Sequence, residues 1–171
     1  MFLKTSDMQL GKVRFEETFA PGEIEFFDQQ LRQKDAIVAS GVAQLSEATM
    51  EIRVSGHLAA RVEAPCDRCL EPTEHSVDAD FSLVYRPASL TPEHEEVAIV
   101  PAEADVAFYE GEGLELTDVV REQILLLLPM QRICREECKG ICPVCGQNRN
   151  QVECQCRQQL SDDRWAGLRN L

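Results

Sequence analysis

The sequence predicts an α+β protein: an antiparallel β-meander, barrel-like in form, packed by one buried helix and followed by a small cysteine-rich tail with a short C-terminal helix. Three observations carry that expectation. Apolar residues recur at period two through much of residues 12–85. One apolar run of helical length, near 117–129, ends at Pro129. Six of the eight cysteines fall between Cys134 and Cys156. The change in composition divides the chain into an acidic, strand-rich body, residues 1–133, and a tail, residues 134–171.

Each element follows from local pattern. Lys12 to Phe19 alternates loosely, and Pro21-Gly22 breaks the chain before a short apolar piece, Glu23 to Phe27. Ala36 to Leu45 and Thr49 to Val62 are rich in Val, Ile, Leu and Ala, with Ser46-Glu47-Ala48 as the turn between them. Within the second run Met50, Ile52 and Val54 alternate with Glu51, Arg53 and Ser55, the period of a half-buried strand. Val77, Ala79, Phe81, Leu83 and Tyr85 share the face of a further strand. No connection among these runs is long enough for a parallel crossover, so a meander is the simplest product. Val97 to Val100 and Val106 to Tyr109 read as short strands, and RPASLTPEHEE as a loop. Thr117 or Asp118 is placed to cap the helix. Val120, Ile124, Leu127 and Leu128 form one face of it, and Leu125 and Leu126 make it apolar nearly all round, which predicts burial against the sheet. Ser161 is placed to cap the last helix, with Trp165, Leu168 and Leu171 at helical spacing.

Composition narrows the function. In 171 residues, 30 Asp and Glu against 17 Lys and Arg give a net charge of −13, which excludes a broad phosphate-gripping face. The start, MFLKTSDMQL, has no cationic segment followed by a long apolar one, and the longest apolar run, Ile124 to Met130, is far too short to span a bilayer. A cytoplasmic protein without a membrane segment is expected. In a reducing compartment, cysteines serve as metal ligands or reactive thiols more often than as disulfides.

The spacing of the tail cysteines favours metal. Cys142-Pro143-Val144-Cys145-Gly146 has the form of a zinc knuckle, in which two intervening residues let both thiolates reach one tetrahedral ion. Glycine after the second cysteine permits a left-handed backbone that aims amides at sulfur. A turn-like stretch, Gly146 to Asn150, returns the chain to Cys154 and Cys156. These four, Cys142, Cys145, Cys154 and Cys156, are the primary predicted zinc ligands, although Cys138 can replace one of the closely spaced last pair. An iron–sulfur cluster fits the six spacings less well. Cys66-Asp67-Arg68-Cys69 has three readings. It completes a second site with Cys134 and Cys138, or forms a redox pair whose thiolate Arg68 favours, or is a buried pair in a tight turn. Enzyme signatures are absent from the pattern. His57, His75 and His94 are scattered, and Gly111-Glu112-Gly113 would repel a phosphate. A non-enzymatic protein is expected.

Charge points to a partner. Residues 87–120 contain nine acidic side chains and no Lys or Arg. Such a stretch is ordinarily solvated, but it also attracts a basic protein and speeds its capture. The predicted partner-binding residues are Glu93, Glu95, Glu96, Glu103, Asp105, Glu110, Glu112 and Glu115. The body holds 11 Lys and Arg against 25 Asp and Glu, net −14, and the tail holds 6 against 5, net +1. Arg149, Arg157, Arg164 and Arg169 of the tail can touch RNA phosphate, yet an RNA-reading zinc ribbon is usually more basic, which favours a structural or protein-binding tail.

Cys66-Asp67-Arg68-Cys69-Leu70 after a strand meander, then Leu127-Leu128-Pro129, then CREECKGICPVCGQNRN and a closing Cys-x-Cys, together resemble the YceD family of large ribosomal RNA subunit accumulation proteins. The family's tail commonly ends in an Asp-Pro-Arg-like segment, where this chain has Asp162-Asp163-Arg164. The resemblance implies a bacterial-type cytoplasmic factor needed for normal levels of large-subunit (23S) ribosomal RNA. In the family this resemblance points to, the gene often neighbours that of a small basic, zinc-binding-type ribosomal protein of the large subunit. Some members keep Cys-x-Arg-Cys without the cysteine-rich tail, which weighs against an obligatory site shared by Cys66, Cys69, Cys134 and Cys138. No catalytic residue is carried over. The leading expectation is a ribosome-assembly factor whose acidic body holds a basic large-subunit ribosomal protein or a pre-ribosomal particle. A zinc-ribbon protein touching precursor rRNA through its tail, and a thiol-redox regulator built on Cys66 and Cys69, are the alternatives.

Overall fold

The computed structural model describes residues 1–90 and 106–156. The expected strand at Val97 to Val100, the C-terminal helix, and Glu93, Glu95, Glu96, Glu103 and Asp105 lie outside the described residues, as do Arg157, Arg164 and Arg169. The chain forms two compact units, one of residues 1–64 and 74–130, the other of residues 65–73 and 131–171.

Among the described residues, the first unit is mostly sheet with two helices. In order it contains β1 (Phe2–Lys4), α1 (Thr5–Gln9), β2 (Val13–Phe19), β3 (Arg32–Gln33), β4 (Ile37–Ser46), β5 (Glu51–Pro65), β6 (Pro72–Pro87), a single 3-10 turn, β7 (Val106–Tyr109), β8 (Gly113–Glu115) and α2 (Leu116–Leu127). The main sheet runs β2-β4-β5-β6-β7, with β3 pairing β5. Among the described residues β2 and β7 end this order without pairing to each other, so the sheet is open, which corrects the barrel-like expectation. The meander holds through β2, β4 and β5, which pair antiparallel. It fails at β7, which pairs parallel with β6, from Val84 opposite Val106 to Pro87 opposite Tyr109. Residues 88–105 supply the long connection a parallel pair needs. A separate two-stranded sheet joins β1 to β8 antiparallel, and the sequence pattern gave no sign of it.

Alternation places Phe15 and Phe19 of β2, Ile37, Ala39 and Ala43 of β4, and Ile52, Val54, Leu58, Ala60 and Val62 of β5 in one core. Val77, Phe81 and Tyr85 of β6 and Tyr109 of β7 join them. Gly41 and Gly56 face each other across β4 and β5. A Cβ on Gly56 would lie 2.2 Å from the Ser40 carbonyl, and one on Gly41 would also meet the Phe15 ring. Glycine at this pair is therefore a steric requirement. Glu23 to Phe27 is irregular instead of a strand, although Ile24 and Phe26 are buried.

Helix α2 buries Leu116, Val119, Val120, Gln123 and Ile124, a single stripe at positions i, i+3, i+4, i+7 and i+8. It is not buried all round: Leu126 is 69% exposed, and Leu125 and Leu127 are also open to solvent. Neither Thr117 nor Asp118 caps it. Glu115 occupies the cap position without a side-chain hydrogen bond, and Asp118 pairs with Arg121 at 2.6 Å. The helix stops because Pro129 forces Leu128 out of the helical region, into extended backbone.

Candidate metal centre and acidic groove

Two groups of four cysteines lie in the second unit. In each, all four Sγ atoms fall within 4.8 Å of one another. Site A is Cys66, Cys69, Cys134 and Cys138, and site B is Cys142, Cys145, Cys154 and Cys156. The four primary predicted ligands thus come together as site B. The four second-tier cysteines come together as site A, and Cys138 replaces neither Cys154 nor Cys156.

Two short loops build the sites by the same local device. In Cys66-Asp67-Arg68-Cys69-Leu70, the Leu70 amide donates to the Cys66 carbonyl at 2.8 Å. In Cys142-Pro143-Val144-Cys145-Gly146, the Gly146 amide donates to the Cys142 carbonyl, also at 2.8 Å. The residue after each second cysteine is left-handed, Gly146 at φ 71° and Leu70 at φ 63°. The sequence flags the first by its glycine. The second is hidden, because leucine rarely takes that conformation and gives no warning.

The thiol geometry suits a tetrahedral ion. Cys66 and Cys138 Sγ are 3.9 Å apart, and Cys69 and Cys134 Sγ are 3.7 Å apart. Four sulfurs about 2.3 Å from zinc stand about 3.8 Å from one another, whereas a disulfide needs about 2.05 Å. The donor set fits zinc: soft thiolates only, four in number at each site, with no carboxylate among the grouped ligands of the described residues. Backbone amides also aim at sulfur. Burial opposes a charge on Cys66, but amides of Cys134, Cys69 and Arg68 hold its thiol down at about 6. Amides of Cys145 and Val144 hold Cys142 at about 6 against burial. These are thiols prepared to be thiolates. The sites differ in exposure. Cys66, Cys69 and Cys138 are buried at site A, whereas only Cys142 is buried at site B.

In the first unit, a groove of about 380 Å³ runs between β1, β6, β7, β8 and α2. Among the described residues its walls hold four aromatic rings, Phe2, Tyr85, Phe108 and Tyr109, and four carboxylates, Glu110, Glu115, Asp118 and Glu122, with no Lys, Arg or His. Phe108 is 56% exposed, an uncommon state for a large ring. Burial, reinforced by Glu122 and Asp118, pushes the Tyr85 phenol well above its usual range. Of the predicted partner-binding residues, Glu110 and Glu115 line this groove. Glu112 does not; its carbonyl instead accepts from Thr5 at 2.8 Å. A larger cleft, about 570 Å³, mixes Lys12 and Arg53 with Glu47 and Glu51 and so has no dominant sign. Sequence reasoning missed the aromatic half of the groove, because Phe2, Tyr85 and Phe108 are far apart in the chain.

Residues 54–171, which hold every cysteine and most of the groove, match the family model described as large ribosomal RNA subunit accumulation protein YceD. The chain belongs to the YceD family. It is similar to an uncharacterized protein of Mycobacterium tuberculosis, 30% identical over 118 residues, covering 68% of this chain and 54% of that protein. It is also similar to the large ribosomal RNA subunit accumulation protein YCED homolog 1, chloroplastic, of Arabidopsis thaliana, 26% identical over 150 residues, covering 71% of this chain and 44% of the plant protein. An uncharacterized protein of Bacillus subtilis is 26% identical over 160 residues, covering 92% and 86%. The chain thus spans about half the length of the mycobacterial and plant relatives it matches. No solved structure matches it. The family's name implies a role in accumulation of large-subunit ribosomal RNA. No helix among the described residues is long and apolar enough to cross a membrane.

Proposed function

We propose that this YceD-family chain is a non-enzymatic, cytoplasmic factor in large-subunit biogenesis. It supports accumulation of large-subunit rRNA by holding a basic ribosomal protein on its acidic first unit. Zinc in sites A and B maintains the second unit. The observation that carries the reading is the groove that pairs the exposed rings of Phe2 and Phe108 with the carboxylates of Glu110, Glu115 and Glu122 and, among the described residues, has no basic side chain in its lining. Rings supply cation–π attraction to a Lys or Arg side chain, carboxylates supply charge-assisted hydrogen bonds, and the acidic surroundings steer the approach. The first unit holds 9 Lys and Arg against 23 Asp and Glu, net −14.

The test is capture from cell extract at low and at moderate salt, followed by identification of bound proteins. A basic large-subunit ribosomal protein should be recovered, and less of it by a Glu110→Lys, Glu115→Lys double variant. That variant should slow association more than it speeds dissociation. Recovery of no ribosomal protein, or equal recovery by the variant, would refute the assignment. The redox alternative loses weight because Cys66 and Cys69, at 0% and 4% exposure, are out of reach of a partner thiol.

A further inference from the structure

Site B is closed by the loop between Cys145 and Cys154, yet the side chains of that loop reach site A. Asn150 Nδ2 donates to Cys138 Sγ at 3.3 Å. Asn150 Oδ1 accepts from the Lys139 amide at 2.9 Å and from Arg135 Nη2 at 3.2 Å. Both ends of the amide are engaged, which fixes its orientation. Asn148 Oδ1 holds Asn150 in place, accepting from its backbone amide at 3.0 Å and from Nδ2 at 2.9 Å. Asn148 Nδ2 and Gln151 Nε2 both donate to Glu71 Oε1, at 3.1 and 2.8 Å. The Glu71 carbonyl in turn accepts from the amide of Cys66, a site A ligand, at 2.8 Å.

The backbone continues the connection. Ile141 donates to the Arg68 carbonyl at 2.8 Å, and Arg149 donates to the Gly140 carbonyl at 2.9 Å. Gly140 itself is left-handed, at φ 70°. A Cβ there would lie 2.9 Å from the Arg68 carbonyl, so the two segments approach as closely as glycine allows.

We propose that Asn150 couples the two centres, so that metal at site B tightens metal binding at site A. The inference rests on the metal reading of both cysteine groups. A hydrogen bond to a ligand sulfur stabilises its charge, and losing such a bond typically costs about 10–100-fold in metal affinity. Asn150 can hold its position on Cys138 only while its loop is closed. The loop is closed when Cys145 and Cys154 share one ion. Coupling of this kind is reciprocal, so filling site A also favours site B. Asn150 is a positioning residue: it touches a ligand atom, not the metal.

The test uses the full chain, stripped of metal under reductant and titrated with cobalt(II) against a chelator. Thiolate-to-cobalt absorption reports each filled four-sulfur site. The native chain should bind two ions with positive cooperativity. Removing site B by Cys142→Ser and Cys145→Ser should weaken site A about 10–100-fold. Asn150→Ala, with every cysteine intact, should reproduce that weakening, and adding it to the double variant should cost nothing further. Asn150→Asp keeps the acceptor but sets a like charge beside Cys138, and should weaken site A more than alanine does. Circular dichroism of the strand-rich first unit verifies that each variant is folded there. An Asn150→Ala protein within about twofold of native at site A, or an aspartate variant no weaker than alanine, would overturn the coupling alone. Uptake of no cobalt by the native chain would overturn the metal reading beneath it.

Discussion

Metal removal should unfold one unit and spare the other. Among the described residues, the buried apolar cluster of the second unit comprises Cys66, Cys69 and Cys138, with Ile133 packed against it. At about 1.5–3 kcal/mol for a large side chain, and less for cysteine, such a cluster supplies at most about 6 kcal/mol. Structural zinc supplies about 10–16 kcal/mol per site. Metals bound at both sites would therefore dominate the folding of residues 65–73 and 131–156. The first unit has a core of its own, from Leu3 to Ile124, and contains no cysteine. Amide NMR spectra of the full chain, before and after chelation under reductant, should show Leu70, Ile141 and Gly146 moving to unfolded positions. Ile52, Val54 and Leu58 should keep their shifts and slow exchange. Elemental analysis must confirm that zinc has gone. Unchanged second-unit resonances in zinc-free protein would refute the argument, and so would collapse of both units together.

Other outcomes follow from the same geometry. The Tyr85 phenol, raised first by burial and then by Glu122 and Asp118, should resist ionisation well beyond the usual value of about 10. Because its folded pKa lies above its unfolded one, its contribution to stability is complete below pH about 10 and fades as pH rises through the folded value. Absorbance titration near 295 nm should show this, and Glu122→Gln should lower the midpoint. Gly146→Val forces a β-branched residue into the left-handed region at a cost of about 1–2 kcal/mol, so cobalt affinity at site B should fall about tenfold; Leu70→Gly should not weaken site A. Leu58→Ala, at a fully buried position, should destabilise the first unit by about 2–5 kcal/mol in thermal or denaturant unfolding.

Strands β2, β4, β5 and β6 were legible because each alternates against one core, and alternation is a local signal. The parallel β6–β7 pair was not, since pairing direction depends on what the connection does, and residues 88–105 carry little pattern. The pairing of β1 with β8 joins Phe2 to Glu115 across most of the chain, which no window of sequence can register. For α2, the apolar run Leu125-Leu126-Leu127 suggested a fully buried helix, yet the buried stripe is set by Leu116, Val119, Val120 and Ile124, one turn earlier. Cysteine spacing was legible where chemistry demands it, at Cys142 and Cys145. The partners of Cys66 and Cys69 lie some 65 residues further along, and only the fold brings them together. Asn150 was invisible for a related reason: a side chain that supports a ligand of the other site has no fixed sequence distance from it.

Metal loading also bears on whether the second unit reads RNA. With thiols neutral, that unit has 8 Lys and Arg against 7 Asp and Glu, net +1. A zinc ion held by four thiolates carries two positive and four negative charges. Two such centres would take the unit from +1 to −3, the same sign as the −14 first unit. RNA affinity comes largely from neutralised phosphates, so filling both sites should weaken RNA contact while leaving attraction to a basic protein intact. Anisotropy of a labelled single-stranded RNA, titrated with zinc-loaded and zinc-free chain at several salt concentrations, separates the cases. The loaded chain should bind weakly or not at all near physiological salt. Tighter RNA binding by the loaded chain would mean that the ordered arginines of the second unit, Arg135 and Arg149 among them, outweigh the centres' charge, and the partner would then be RNA.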